Sequence, residues 1–133
     1  MLSPASKLLA LIVVLASALA AGARAEAAPP TLAQLAASKL GLSCSKVTTP
    51  DNVSYMKCSG KIPSFDGLGL DTDISIPLGA TRPAPTLVML HGWSQDKTFW
   101  EADTAAGDGA GSWHWNNVWF VSNGWVEIGR AHV

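Results

Sequence analysis

The chain has 133 residues, 48% of them hydrophobic, and nine basic side chains against ten acidic ones give a net charge of −1. This is one domain's worth of protein, long enough to bury a core. Its lysines at 39, 46, 57, 61 and 97 are scattered singly, which argues against electrostatic capture of nucleic acid or of an anionic membrane.

At the amino end, Lys7 precedes an apolar run from Leu8 to Ala20, and Ala23-Arg24-Ala25 offers small residues at the two positions a signal peptidase reads. The run is shorter than the roughly 20 apolar residues that a membrane span needs. It reads as a cleaved secretory signal over residues 1–25, with no stable membrane anchor and a secreted, extracellular product beginning near Glu26. Removal of Lys7 and Arg24 leaves seven basic residues against ten acidic ones, a net charge near −3.

Residues 26–52 form an N-terminal extension with one short helix. Thr31 is placed to cap it, Leu32, Leu35, Ala36 and Leu40 share a face, and Gly41 can end it. An exported chain meets an oxidising compartment, so Cys44 and Cys58 are expected to pair. The loop so closed is worth about 3 kcal/mol by chain entropy. The spacing excludes a Cys-x-x-Cys redox motif. Two thiols without nearby histidines make a poor zinc site, so neither metal nor cofactor is implied. Asn52-Val53-Ser54 is a glycosylation sequon, meaningful only in a eukaryotic secretory pathway.

From Val53 the hydrophobic period becomes two. Val53, Tyr55 and Met56-Lys57-Cys58 begin a strand that Ile62-Pro63-Ser64-Phe65 extends as an edge, and Asp66-Gly67 signals a hairpin. Leu70, Thr72, Ile74 and Ile76 then alternate with Asp71, Asp73 and Ser75, predicting a half-buried strand that ends at Pro77. Asp71 and Asp73 could serve as a metal-binding pair. Alternation on a solvated face explains them with nothing added.

A Pro-rich linker, 79–85, leads into Thr86-Leu87-Val88-Met89-Leu90-His91-Gly92-Trp93. An unbroken apolar run that ends in a glycine turn predicts a buried parallel strand, whose carboxyl end is where α/β folds place their sites. Taken alone, His91-Gly92 could equally be a plain turn. Thr98-Phe99-Trp100 can open a short helix over that end, and the Gly- and Ala-rich stretch 103–112 lacks the Gly-Lys-Ser/Thr ending of a phosphate loop. Residues 113–124 read as a helix with Asn116 as N-cap and Asn123-Gly124 as its stop. Four of the six tryptophans lie between Trp113 and Trp125, a spacing that predicts core aromatics before a sugar-stacking platform. His114 is expected at the helix start, not as a catalytic base.

IPSFDGLGLDTDISIP, APTLVMLHGWSQDKTFWE and WNNVWFVSNGW together resemble the opening third of secreted α/β-hydrolases of the X-Pro dipeptidyl-peptidase-like, or cocaine-esterase-like, group. The resemblance runs from Cys58 to about Val126. It implies an α/β fold: a truncated hydrolase domain over residues 53–126, comprising an N-terminal hairpin, a buried third strand and the first covering helix. It implies further that His91 and Gly92 shape an oxyanion loop in which the Trp93 backbone N–H donates to the oxyanion. The parent would be a serine hydrolase acting on an ester or peptide substrate through an acyl-enzyme. The nucleophile, acid and base of that triad are absent, since no serine here stands in a Gly-x-Ser-x-Gly context. The alternative is a small secreted, disulfide-stapled binding module that uses exposed tryptophans.

The last seven residues, EIGRAHV, are what GAG ATC GGA AGA GCA CAC GTC encodes. That string resembles a sequencing-library adapter read in frame, whose next triplet is a stop. Residues 127–133 are therefore expected to be a non-native tail. Cut there, the chain should expose strand edges and tryptophans and aggregate or fold only in part.

Overall fold

The computed structural model describes residues 27–81, 83–106 and 115–130. The expected signal segment, His114 and the last three residues of the tail lie outside them. Five strands, β1 (Ser43–Thr48), β2 (Ser54–Pro63), β3 (Gly69–Pro77), β4 (Thr86–Leu90) and β5 (Val126–Arg130), form one sheet in the order β1-β2-β3-β5-β4. The first three run antiparallel, β5 is antiparallel to β3, and β4 and β5 are parallel. The last strand in the chain thus inserts between the hairpin and β4, giving the mixed α/β architecture.

Local chemistry sets the ends of each element. Helix α1 (Leu32–Leu40) begins at Thr31, whose hydroxyl accepts from the Gln34 N–H while the Gln34 side chain accepts from the Thr31 N–H. This reciprocal box satisfies two donors that the first turn would leave orphaned, and such a cap is worth about 1 kcal/mol. Gly41, at φ 70°, ends the helix in the left-handed region. The buried face is Ala33 and Ala36, with Leu32 packed beside them, whereas Leu40 stays exposed. The sheet approaches closely enough that alanines, not the leucine row expected from periodicity, make the contact.

Strand β1 was not expected. Its polar sequence SCSKVT shows no alternation strong enough to announce it, yet it pairs with β2 over six residues. β2 therefore lies inside the sheet over residues 54–59, while Gly60–Pro63 runs past β1 with β3 on one side only, the edge position expected for Ile62-Pro63 and one that tolerates proline. Cys44 and Cys58 stand opposite each other in that register and form the expected disulfide.

The turn 64–68 follows its sequence signal. Ser64 donates to the Leu68 carbonyl, the Asp66 carboxylate accepts from the Leu68 N–H, and Gly67 takes φ 84°. β3 departs from the half-buried expectation by being buried on both faces. Register rows explain why. Cys44, Cys58, Ile74, Ile128 and Val88 lie side by side on the α1 face, and Ser45, Lys57, Ser75, Glu127 and Leu87 on the opposite one. The first row belongs to the main apolar core with Ala33, Ala36, Leu42, Ile76 and Val126. The second is covered by helix α2 (Asn117–Ser122), which sets Val118 and Val121 on Tyr55.

Asn116 caps α2 by accepting from the Trp119 N–H, and Gly124 leaves it at φ 81°. The helix is only six residues long. Of the tryptophans expected in the core, Trp119 is half-buried on the helix, Trp113 lies outside the described residues, and Trp115 (62% exposed) and Trp125 (39%) fall beyond the helix's ends. β4 differs too, since it occupies the sheet's edge among the described residues, with Val88 and Leu90 half exposed. No helix among the described residues is long and apolar enough to cross a membrane.

Replacing both Cys44 and Cys58 by alanine should lower the unfolding free energy by about 3 kcal/mol. Urea titration of the oxidised chain and the double variant measures it, and equal midpoints would show that the bridge contributes nothing.

Candidate functional site

Beyond β4 the chain folds into a small loop whose shape is set by two side chains. The Gln95 N–H donates to the Gly92 carbonyl, closing a four-residue turn, while the Gln95 side-chain oxygen accepts from the Gly92 N–H at 3.0 Å. His91 Nδ1 lies 2.8 Å from the Gly92 carbonyl oxygen and donates its proton to it. The left-handed residue in this turn is Ser94, at φ 65°, not Gly92. A side chain there costs on the order of 1 kcal/mol, and such strain collects where surrounding contacts over-determine the backbone. His91, Gly92, Trp93, Ser94 and Gln95 line an open depression of about 560 Å³, and the Trp93 indole is fully exposed. Among the described residues the Trp93 backbone N–H makes no backbone hydrogen bond.

The segment just after this loop is bolted to the sheet. Asp96 caps a 3-10 turn (Lys97–Trp100) by accepting from the Thr98 N–H and hydroxyl. Lys97 Nζ then reaches Asp71 at 2.8 Å and Asp73 at 3.0 Å, and Lys57 Nζ bridges Glu101 at 2.6 Å and Asp73 at 3.2 Å. Asp71 and Asp73 therefore do not share a wet face. Asp73 is buried beneath the 3-10 turn because two lysines from distant parts of the chain compensate its charge. Next in the chain, the Ala102 N–H donates to Asn117 Oδ1, whose Nδ2 donates to the Tyr55 hydroxyl and to Ser75 Oγ. The Ala105 N–H is taken by the Asp51 carboxylate. Residues 97 to 105 thus carry an anchor every few residues, which fixes the loop's downstream end.

Charge is not balanced in this face of the sheet. Burial would raise Asp73, but hydrogen bonds from Glu101, Ser59 and Lys97, together with the Lys57 charge, outweigh it and hold the carboxyl at about 2. Glu101 moves the other way, raised by burial and by the hydrogen bond it makes to Asp73. Glu127, in the middle of β5, is 2% exposed, and burial above all pushes it up to about 8. Ser75 is its hydrogen-bond partner, while Oε1 has none. Both lysines are already engaged by Asp71, Asp73 and Glu101, so the remaining carboxyl keeps its proton.

The structure brings His91, Gly92 and Trp93 together and pairs Cys44 with Cys58 on the far side of the sheet. Sequence reading missed Gln95 and Ser94, whose parts depend on a turn that only three-dimensional closure defines. It missed Lys57, Lys97 and Glu101 as well: Lys57 is a charge inside a strand, while Lys97 and Glu101 flank a 3-10 turn and carry no signal of their burial. Among the described residues no group of three or more His, Cys, Asp or Glu side chains is gathered to hold a metal ion. No protein-family model matches the chain, and comparison with curated proteins and with solved structures finds no match.

Two outcomes follow from the buried charges. A carboxyl raised from 4.5 to about 8 in the fold stabilises it below pH 4.5 relative to higher pH, and that contribution is lost as pH rises through 8. Unfolding midpoints of the wild type should fall between pH 5 and 8, and Glu127→Gln should flatten that fall and add roughly 3 kcal/mol at pH 8. A variant with an unchanged pH profile would refute the assignment. Asp73→Asn should cost about 3 kcal/mol at neutral pH by leaving two part-buried lysines short of a partner, as read by urea titration.

Proposed function

We propose that the chain is the opening part of an exported serine hydrolase, peptidase or esterase, of the X-Pro dipeptidyl-peptidase-like group. The observation that carries this reading is the order in which the elements arrive: hairpin, then β4, then the His91–Gln95 loop, then α2, then a strand parallel to β4. That order is the one the motif resemblance implies, and it sets a backbone N–H at the carboxyl end of a parallel strand. A donor held in place before reaction meets charge that develops only in the tetrahedral transition state. Loss of one such donor costs roughly 3 kcal/mol of transition-state stabilisation.

In the parent enzyme a serine alkoxide would attack an ester or amide carbonyl. Trp93 N–H would then share the oxyanion with the N–H that follows the nucleophile. Gln95 serves this scheme by occupying Gly92 N–H and closing the turn, which leaves the next N–H for substrate. The ion pairs of Lys57 and Lys97 serve it by holding the loop's exit against the sheet. No serine here stands in a Gly-x-Ser-x-Gly context, so on this reading catalysis belongs to the parent and none is expected of the present product.

Residues 127–130, expected from sequence to belong to a foreign tail, complete β5 between β3 and β4, and Glu127 is the misfit among them. A strand flanked on both sides, with helices over both faces, ordinarily carries apolar side chains at inward positions. Here β5 carries a buried carboxyl with an unpartnered oxygen. The exposed Trp93, Trp115 and Trp125 favour the second reading, a small secreted module stapled by Cys44–Cys58 that binds glycan or protein through its aromatics.

Genomic DNA read past the Val126 codon decides between them. A Gly-x-Ser-x-x-Gly elbow downstream is the expected result; a natural stop in its place would sink the hydrolase reading and favour the binding module. The purified chain should also remain unlabelled by a fluorophosphonate probe. A covalently labelled serine would contradict the absence of a nucleophile.

A further inference from the structure

We propose that two copies of this chain join through the outer edge of β4, antiparallel about a two-fold axis at Val88, so that the two sheets become one. The ends of the sheet differ in how they are guarded. At β1, an exposed Lys46 sits in the middle of a polar strand, and a charged edge residue is a common device against edge-to-edge pairing. At β4, one side is fully engaged by β5 over five residues, while no strand among the described residues pairs with the other. No Asp, Glu, Lys or Arg occurs from Pro83 to Gln95. Val88 and Leu90, which point to the same face, are 54% and 52% exposed.

Antiparallel self-pairing suits this edge for reasons of symmetry. The same strand supplies donors and acceptors to both sides, so the contact is isologous and closes after two copies. With Val88 opposite its counterpart, Leu87 faces Met89 and Thr86 faces Leu90, and no like charges are brought together. Val88 ends the apolar row of Cys58, Ile74 and Ile128, which borders a groove of about 440 Å³ beneath Leu32 and Leu35. Pairing continues that row into the second copy and buries its exposed end. The second copy is therefore favoured over an unrelated partner, because it brings the matching backbone and the matching apolar stripe together.

Sedimentation velocity on the full oxidised chain, over a hundredfold range of concentration, tests this. Wild type should form a dimer. Val88→Lys should raise its dissociation constant at least 100-fold, and Leu68→Lys, on the exposed hairpin turn, should leave it unchanged. Val88→Cys supplies a reading that does not depend on tolerance of the lysine: on the axis it should give an intermolecular disulfide on a non-reducing gel, whereas Leu68→Cys should not. A monomeric wild type would overturn the proposal. So would assembly that survives Val88→Lys with no Val88→Cys cross-link, or assembly dissolved by Trp115→Ser but not by Val88→Lys, which would assign the interface to the aromatic face.

Discussion

Everything in this sheet depends on β5 being accepted between β3 and β4. The hairpin strands are tied to one another by a disulfide and by short connections, but β4 touches them only through β5 among the described residues. β5 must therefore satisfy two ladders at once, antiparallel on one side and parallel on the other. The parallel connection carries a helix between its two strands, and that helix is short. Coverage of the inner face then falls to a 3-10 turn and to ion pairs, where a longer helix would have supplied apolar surface.

This substitution of charge for apolar packing explains the composition of the inner face. Lys57, Asp73, Ser75 and Glu127 occupy positions that, in a sheet covered by a full helix, would carry branched aliphatics. Buried ion pairs contribute little net stability, since desolvation cancels much of their attraction, but they allow few alternative arrangements. They hold residues 97–101 in one place. A hydrophobic contact of equal area would permit sliding along the strand; a lysine clamped between Asp71 and Asp73 does not. Glu127 is the exception within this network, because Lys57 and Lys97 are already engaged by Asp71, Asp73 and Glu101.

Much of the fold was legible, and the legible parts share a property. Thr31, Gly41, Asp66-Gly67, Asn116 and Asn123-Gly124 each act on backbone within a few residues, so their consequences appear in a local reading. The Cys44–Cys58 pairing was legible for a different reason, there being only two cysteines in a chain read as exported. What escaped depends on distant partners. β1 is a strand only because β2 offers it a ladder. Asp73 could be buried only because Lys57 and Lys97 arrive from elsewhere, so the alternation of β3 misled about its wet side. The exposure of Trp115 and Trp125 followed from the length of α2, and propensity does not set that length.

The loop after β4 shows how the two kinds of information meet. His91-Gly92 marks the loop in sequence, and the strand before it gives the direction in which it points. Neither determines which N–H is left for a ligand. Gln95 decides that by taking Gly92 N–H for itself, and the turn it closes forces Ser94 into the left-handed region. Ser94 can stay there only if the loop is held at both ends. One hold is the β4–β5 ladder, and the other is the pair of lysines that pin the following turn. The geometry around Trp93 thus rests on charges buried beneath the following turn, which a motif of three residues does not reveal.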